Sequence, residues 1–252
     1  MDTTTPEIKK ESLAQRMKSW ENTSRFKLEK KIPVIMRLDG KNFSKLTRNY
    51  NKPFDEFFKD SLVNSTLRLL KEIQGANLAY LQSDEISILI TDFENENTDA
   101  WFDYNIQKMS SISASLMSIY FSGTIGTEAI FDCRVFNLPK EEISNYFIWR
   151  QQDWERNSVS MLAQSLYSHR DLQGKNRFEQ LKMIELMNDP KFPSWELLPD
   201  CWRYGTLITE LSKEERESAE NSGIENLPRF IVDNTFEKFI NNRNAVEKFL
   251  KL

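Results

Sequence analysis

The sequence predicts an α+β fold: a ferredoxin-type βαββαβ core, with an antiparallel sheet and helices on one face, followed by a C-terminal helical region. Three observations lead there. Short, β-rich apolar runs mark four strands, and two long stretches with apolar residues at three- and four-residue spacing lie between them. The resulting order, strand, helix, strand, strand, helix, strand, is the split βαβ arrangement, in which the first and third strands occupy the centre. The 252 residues, 39% hydrophobic and 29% charged, describe a chain long enough to bury a substantial core.

Residues 8–31 read as one or two polar helices, with Leu13, Met17 and Trp20 at helical spacing. Ile32 to Leu38 reads as a strand with Val34, Met36 and Leu38 on one face and Ile35 on the other, which suits a strand covered on both faces. Phe54 to Gln74 carries Phe58, Leu62, Leu69 and Ile73 along one helical face, and Gly75 ends it. Asn77 to Gln82 and Ile86 to Thr91 form two strands around Ser83-Asp84-Glu85, an acidic tip where a plain hairpin favours Asn-Gly. An acidic loop spans Asp92 to Asp99. The second core helix, Trp101 to about Phe121, places Ile106, Met109, Ile112, Leu116 and Ile119 inward, while its serines keep it slim for close packing on a sheet. Ala129 to Leu138 is the fourth strand. Ser212 to Gly223 reads as a charged connection, and Asn234 to Leu252 as an amphipathic helix with Phe236, Phe239, Ile240, Val246 and Phe249.

Composition prunes the chemistry. His169 is the single histidine and reads as a surface residue, so a His-rich zinc site is excluded. Cys133 and Cys201 are too few for a thiolate metal site or a disulfide framework, which points to a reducing, cytoplasmic setting. No G-x-x-x-x-G-K-S/T and no G-x-G-x-x-G occurs, and no apolar run approaches the ~18 residues of a membrane span. The first residues carry no apolar stretch resembling a signal peptide. A net charge of −4 argues against broad nucleic-acid binding but allows a local basic face.

Carboxylates remain. Asp39 ends the first strand, so the predicted topology brings it near the Asp84-Glu85 hairpin. Three carboxylates at one sheet edge repel unless something neutralises them. Two Mg²⁺ ions about 3.5–4 Å apart would do so, and would serve phosphoryl or nucleotidyl transfer. Gly40 fits, because backbone without a side chain can approach a metal or phosphate closely.

Arg37-Leu38-Asp39-Gly40-Lys41-Asn42-Phe43, Lys52-Pro53 and Tyr80-Leu81-Gln82-Ser83-Asp84-Glu85-Ile86-Ser87 resemble the R-x-D-G-x-x-F, K-P and Y-x-Q-S-D-E-x-S motifs of the tRNA-histidine guanylyltransferase superfamily. Phe131-Asp132-x-Arg134, Trp149-Arg150-Gln151-x-Asp153, Leu172-Gln173-Gly174 and Arg203-x-Gly205-Thr206 continue the series in the family's order. The resemblance implies a polymerase-like palm that extends RNA in the 3′-to-5′ direction. The 5′ end of a tRNA is activated by ATP or already carries a triphosphate, and the 3′-hydroxyl of an incoming nucleotide, often GTP, attacks it. By motif position, Asp39 and Asp84 are the metal carboxylates, Gly40 offers a backbone oxygen, and Glu85 is the adjacent supporting acid. The same resemblance assigns Lys41, Asn42, Phe43, Lys52, Ser83 and Lys108 to the triphosphate, with Asp55 and Phe43 bordering the base.

After the W-R-Q-x-D motif, members that add G to tRNA-His typically carry H-I-N-N. Here Glu155-Arg156-Asn157-Ser158 stands instead, which resembles the guanylyltransferase-like members that repair 5′-truncated tRNAs. Repair is therefore the expectation, with guanylylation of tRNA-His as the alternative. A palm-type nucleotide cyclase and a non-catalytic RNA-binding relative are further rivals. Arg150, Arg156, Asn157, Lys175, Arg177 and Arg203 are the candidates for a tRNA-binding face. Phe147, Trp149 and Trp154 read as core aromatics. The expected division is an N-terminal helical segment (1–31), a catalytic palm (32–140), a family-specific helical and hairpin region (141–210) and a linker with a C-terminal helix (211–252). A homotetramer is the expected assembly.

Overall fold

In the computed structural model, which describes residues 11–93, 97–187, 194–222, 227–236 and 238–250, the elements in chain order are as follows. Helix α1 (Leu13–Asn22) precedes β1 (Val34–Gly40), the short α2 (Phe43–Leu46) and α3 (Glu56–Glu72). Strands β2 (Ala76–Gln82) and β3 (Glu85–Ile90) form a hairpin, followed by α4 (Ile106–Ile125), β4 (Phe131–Asn137) and the long α5 (Lys140–Leu166). Short α6 (His169–Leu172), α7 (Arg177–Met187) and α8 (Asp200–Tyr204) lead to β5 (Thr206–Glu210), α9 (Lys213–Asn221), β6 (Phe230–Asp233) and α10 (Asn244–Glu247). The expected βαββαβ core is present. The parts of the expected segments at 8–10, 94–96, 223, 237 and 251–252 lie outside the described residues.

One antiparallel sheet runs in the order β4-β1-β3-β2-β5-β6. Its first four strands are the ferredoxin-type core, and β5 and β6 widen it beyond β2. Helices α3 and α4 cover one face through Val34, Met36, Leu38, Ile86 and Ile88, with Leu69, Met109 and Phe121 above them. The other face is covered too. Ile35, Leu78, Tyr80 and Leu89 pack under Ile143 and Phe147 of α5 and under Phe236 and Phe239 near the C-terminal end. The expectation of helices on one face therefore holds for α3 and α4, while α5 closes the second face. Ile35 between Val34 and Met36 carried that signal.

Three element expectations are corrected. In α4 the buried line is Met109, Ser113, Met117 and Phe121, and Ile119 is 64% exposed. The helix turns its serines to the sheet: Phe131 N donates to Ser118 Oγ (3.0 Å) and Ala129 N to Ser122 Oγ (2.9 Å). Residues 213–221 are helical rather than a loop, because Ser212 and Glu215 form a reciprocal capping box, with N···O distances of 3.1 and 2.7 Å. The C-terminal stretch is mostly turns, with only Asn244–Glu247 helical. There the Phe239 amide is captured by buried Gln151 Oε1 (2.9 Å), and the Asn-rich 241–244 segment is a poor helix former, yet Phe236, Phe239 and Val246 still reach the core. The acidic loop begins as expected after β3, and its Asp92 is buried and accepts from Lys31 N at 3.1 Å.

Candidate active site

The register of β1 determines what surrounds Asp39. It stands opposite Glu85 on β3 and Asp132 on β4. Residues directly opposite in an antiparallel ladder project to the same face. Asp39, Glu85 and Asp132 therefore share the α5 face. Arg37, Ser87 and Arg134 form the next row, and Ile35, Leu89 and Phe136 lie beyond it in the core. Asp39 and Gly40 belong to the strand itself and not to a turn after it.

Asp84 arrives from a two-residue turn. Gln82 pairs with Glu85, and Ser83 adopts the left-handed conformation at φ 49°. Burial pushes the Asp84 carboxyl above its ordinary value, and the neighbouring charges of Asp39 and Glu85 add to the rise. Glu85 is differently placed. Arg150 of α5 grips it in bidentate fashion, Nε to Oε1 at 2.7 Å and Nη2 to Oε2 at 3.0 Å. Gln82 Nε2 donates to the same Oε1 at 2.9 Å, and Arg150 Nη2 also donates to Asp153 at 2.9 Å. Both Glu85 oxygens are thus occupied by protein donors, and its part is to hold the hairpin against α5. Arg150, 6% exposed, is correspondingly unavailable to RNA, which corrects its expected role.

Two clefts meet at the Ser83–Asp84 turn. The larger, about 530 Å³, has Gly40, Asn42 and Lys52 on one side and Phe54, Trp154 and Trp202 on the other. Phe54 and Trp202 are stacked at 4.9 Å between ring centroids. The smaller, about 350 Å³, contains Asp39, Asp84, Asp153 and Asn157. A chain segment or a nucleotide can therefore approach the Asp39–Asp84 pair from either side.

The remaining candidates divide. Lys52 and Ser83 border the large cleft, and Lys52 Nζ reaches only Thr47 Oγ1 at 3.4 Å. Lys41 is exposed, but its amide donates to Ile130 O at 2.8 Å, so that amide is not open to phosphate. Asn42, at φ 58°, begins α2. Phe43 packs among Phe58, Phe121 and Phe131 and is only 4% exposed, yet it also lines the large cleft. Its ring also explains Gly40: a Cβ there would stand 2.4 Å from Phe43 Cδ2. Asp55 lines the cleft, but its oxygens cap α3, accepting from Phe58 N (2.8 Å) and Asn51 N (2.9 Å). Lys108 sits in the first turn of α4, at the opposite end of the sheet from Asp39, and does not join the site.

The expected basic face is largely paired within the protein. Arg156 binds Asp153 (2.8 Å), Lys175 binds Glu179 (3.5 Å), Arg177 binds Glu155 (3.0 Å) and Arg203 binds Asp200 (2.5 Å). Phe147 and Trp154 are core, as expected, but Trp149 is 49% exposed. From the sequence, Asp132 and Asp153 read as motif residues with no role at the site. The alternation of β4 against β1 would have found Asp132, and the i,i+3 spacing from Arg150 would have found Asp153.

The donor set suits a hard cation. Asp39 and Asp84 are oxygen donors that line one cleft together beside Gly40, and two carboxylates at one edge carry negative charge that a cation would relieve. Among the described residues no three His, Cys, Asp or Glu side chains cluster to hold a metal. The protein would thus supply two carboxylates and a backbone oxygen, leaving other positions to water or phosphate, as Mg²⁺ commonly does. No helix among the described residues is long and apolar enough to cross a membrane.

A family profile described as tRNAHis guanylyltransferase (Thg1) matches residues 14–139. The uncharacterized protein R259 of Acanthamoeba polyphaga mimivirus is 30% identical over 228 residues, 79% of this chain and 77% of that protein. The tRNA(His) guanylyltransferase of Debaryomyces hansenii is 29% identical over 140 residues, and the match covers 50% of this chain and 51% of that protein. A bacterial tRNA(His) guanylyltransferase (Thg1)-like protein, solved in complex with ATP, superposes with a TM-score of 0.84 at 37% identity, over 96% of this chain and 100% of that one. A structure of such a protein in complex with GTP gives 0.81 at 36%, with the same coverage. With the palm-type sheet, the Asp39–Asp84 edge and these matches together, the chain belongs to the tRNA(His) guanylyltransferase (Thg1) family of nucleotidyltransferases that act on tRNA.

Proposed function

We propose that this protein repairs 5′-truncated tRNAs by template-dependent nucleotide addition in the 3′-to-5′ direction. ATP activates the 5′ end, and GTP or another nucleoside triphosphate is added. The observation that carries this reading is the convergence of Asp39 and Asp84 from separate strand ends at a turn that separates two clefts, one for each reacting partner. The ATP and GTP complexes of the bacterial relatives support the choice of nucleotides. Repair is favoured over guanylylation of tRNA-His because the relatives matched across the whole chain are the bacterial Thg1-like proteins. It is favoured also because Glu155-Arg156 replaces the histidine and isoleucine of H-I-N-N and is committed to internal pairs with Arg177 and Asp153.

In this mechanism two Mg²⁺ ions held by Asp39, Asp84 and the Gly40 carbonyl would lower the pKa of the attacking 3′-hydroxyl and steady the leaving group, which is pyrophosphate when ATP activates the 5′ end and AMP when the nucleotide is added. Lys52 and Lys41 supply positive charge at the rim of the large cleft. The Asn42 and Phe43 amides, without acceptors among the described residues, and the Ser83 hydroxyl can donate to phosphate oxygens. Glu85 acts through Arg150 to keep the Asp84 turn in place. In this reading the palm (32–140) does the chemistry, and the 141–210 region contributes Trp154 and Trp202 to the wall of the large cleft. We place the protein in the cytoplasm as a homotetramer, which light scattering tests directly.

The deciding experiment incubates 5′-monophosphorylated tRNAs lacking one nucleotide with ATP, GTP and Mg²⁺. Extension matched to the template across several tRNAs is expected. Addition of G confined to full-length tRNA-His would select guanylylation, and a cyclic product formed without tRNA would select a cyclase. Asp39→Ala and Asp84→Ala are expected to abolish addition while leaving folding and tRNA binding close to the parent. Full activity in either variant would remove the metal assignment.

A further inference from the structure

On the α5 face of the sheet, the β4–β1 ladder sets like charges directly opposite each other: Asp132 faces Asp39, and Arg134 faces Arg37. Such pairs are unfavourable within a sheet. The only ion pair among them is Arg134 to Asp132 at 3.9 Å, and the buried Nε of Arg37 has no partner among the described residues. Helix α5 crosses above β3, where Arg150 grips Glu85 and Tyr146 bonds Ser87 at 2.9 Å. On β4 its Tyr146 packs against Phe136, with ring centroids 6.0 Å apart. The side chains of Asp132 and Arg134 are 60% and 59% exposed, so the outer edge of this face is an open ledge. Trp149 walls the ledge, with Tyr146 edge-on at 5.9 Å and the Arg150 guanidinium 4.4 Å from its ring centroid. Half the ring is left to solvent. A half-exposed tryptophan backed by a fixed guanidinium is joined through Tyr146 to Ser87 and Phe136, on the face that also carries Arg37 and Arg134, and this combines a stacking platform with phosphate-binding charge. Single-stranded nucleic acid is recognised by that combination.

We propose that this ledge seats the RNA strand that carries the reacting 5′ end. A base next to that end stacks on Trp149, and its phosphates lie over Arg134 and Arg37, which delivers the terminal phosphate to Asp39 at the inner end of the ledge. Trp149 and Arg134 are positioning residues in this scheme. The inference rests on the tRNA reading of the same site.

The test measures binding of a fluorescent, 5′-monophosphorylated tRNA by anisotropy over a salt series, with the full chain and with Trp149→Ala, Trp149→Phe and Arg134→Gln. Trp149→Ala is expected to raise Kd about tenfold, as loss of one stacked base does, and Trp149→Phe to recover most of it. Arg134→Gln is expected to weaken binding and to lower the salt slope by about one phosphate contact. In turnover, the KM for tRNA rises with Kd while the KM for GTP stays within about twofold, a split that misfolding would not produce. A 4-thiouridine placed next to the 5′ end is expected to crosslink to the 132–149 region. Binding unchanged in both Trp149→Ala and Arg134→Gln, or a crosslink that falls only elsewhere, overturns the ledge. A parent protein that binds no tRNA overturns the underlying tRNA reading instead, so the two failures are told apart.

Discussion

Removing the Arg150 guanidinium tests the claim that Glu85 works as a clamp. The Arg150 and Glu85 side chains are 7% and 13% exposed, and two charge-assisted bonds of 2.7 and 3.0 Å join them. Breaking a buried pair by deleting one partner costs about 3–5 kcal/mol, because the other charge is left unpaired. Gln82 continues to donate to Glu85, and Asp153, at 31%, can rehydrate, so the lower half of that range applies to Arg150→Met. In a chain of this size, about 3–4 kcal/mol lowers Tm by roughly 6–16 °C. Nucleotide addition should fall with it, since the Asp84 turn is anchored through its neighbour. The double variant Arg150→Met/Glu85→Met removes both charges together and should recover much of the lost stability. Thermal unfolding followed by circular dichroism measures both. A Tm for Arg150→Met within about 2 °C of the parent would refute the clamp.

Two further outcomes follow from other parts of the molecule. Lys27 and Lys30 bind Asp103 and hold its carboxyl down at about 2, below the ordinary 3.8. The stabilisation is therefore complete above the ordinary value and is lost as pH falls from there through about 2. Asp103→Asn should be less stable than the parent at neutral pH, and the gap should close with acid and also with high salt, because the pair is exposed. A gap independent of both would disprove the ion-pair account. Gly205, at φ 85°, leaves no room for a side chain, since a Cβ would meet Leu81 O at 2.6 Å. Gly205→Ala should cost about 1–3 kcal/mol of strain and displace β2 just before the Ser83–Asp84 turn, so both Tm and nucleotide addition drop. Parental behaviour in both would contradict the close approach.

Much of this was legible in the residues. Period-two and near-period-four apolar patterns located the strands and helices of the βαββαβ core, because burial of one face of each element is a local property of sequence. Ile35 between Val34 and Met36 announced a sheet covered on both sides. Asp39, Asp84 and the motif order led to the family. The errors share one cause, which is competition between groups distant in the chain. Phe43 read as bordering the base, yet three other phenylalanines pack around it and leave only 4% of it exposed at the large cleft. Lys108 read as a phosphate ligand, but the direction of α4 carries it to the far end of the sheet. Arg150 read as a contact for tRNA, and Glu85, separated by 65 residues, claims it. The sequence alone determined the βαββαβ core elements and the acidic residues that meet at its edge, since periodicity and residue type suffice for those. Only the tertiary structure decided which charges are already satisfied inside the protein and which remain for a ligand, because pairing depends on register and helix direction across the whole sheet.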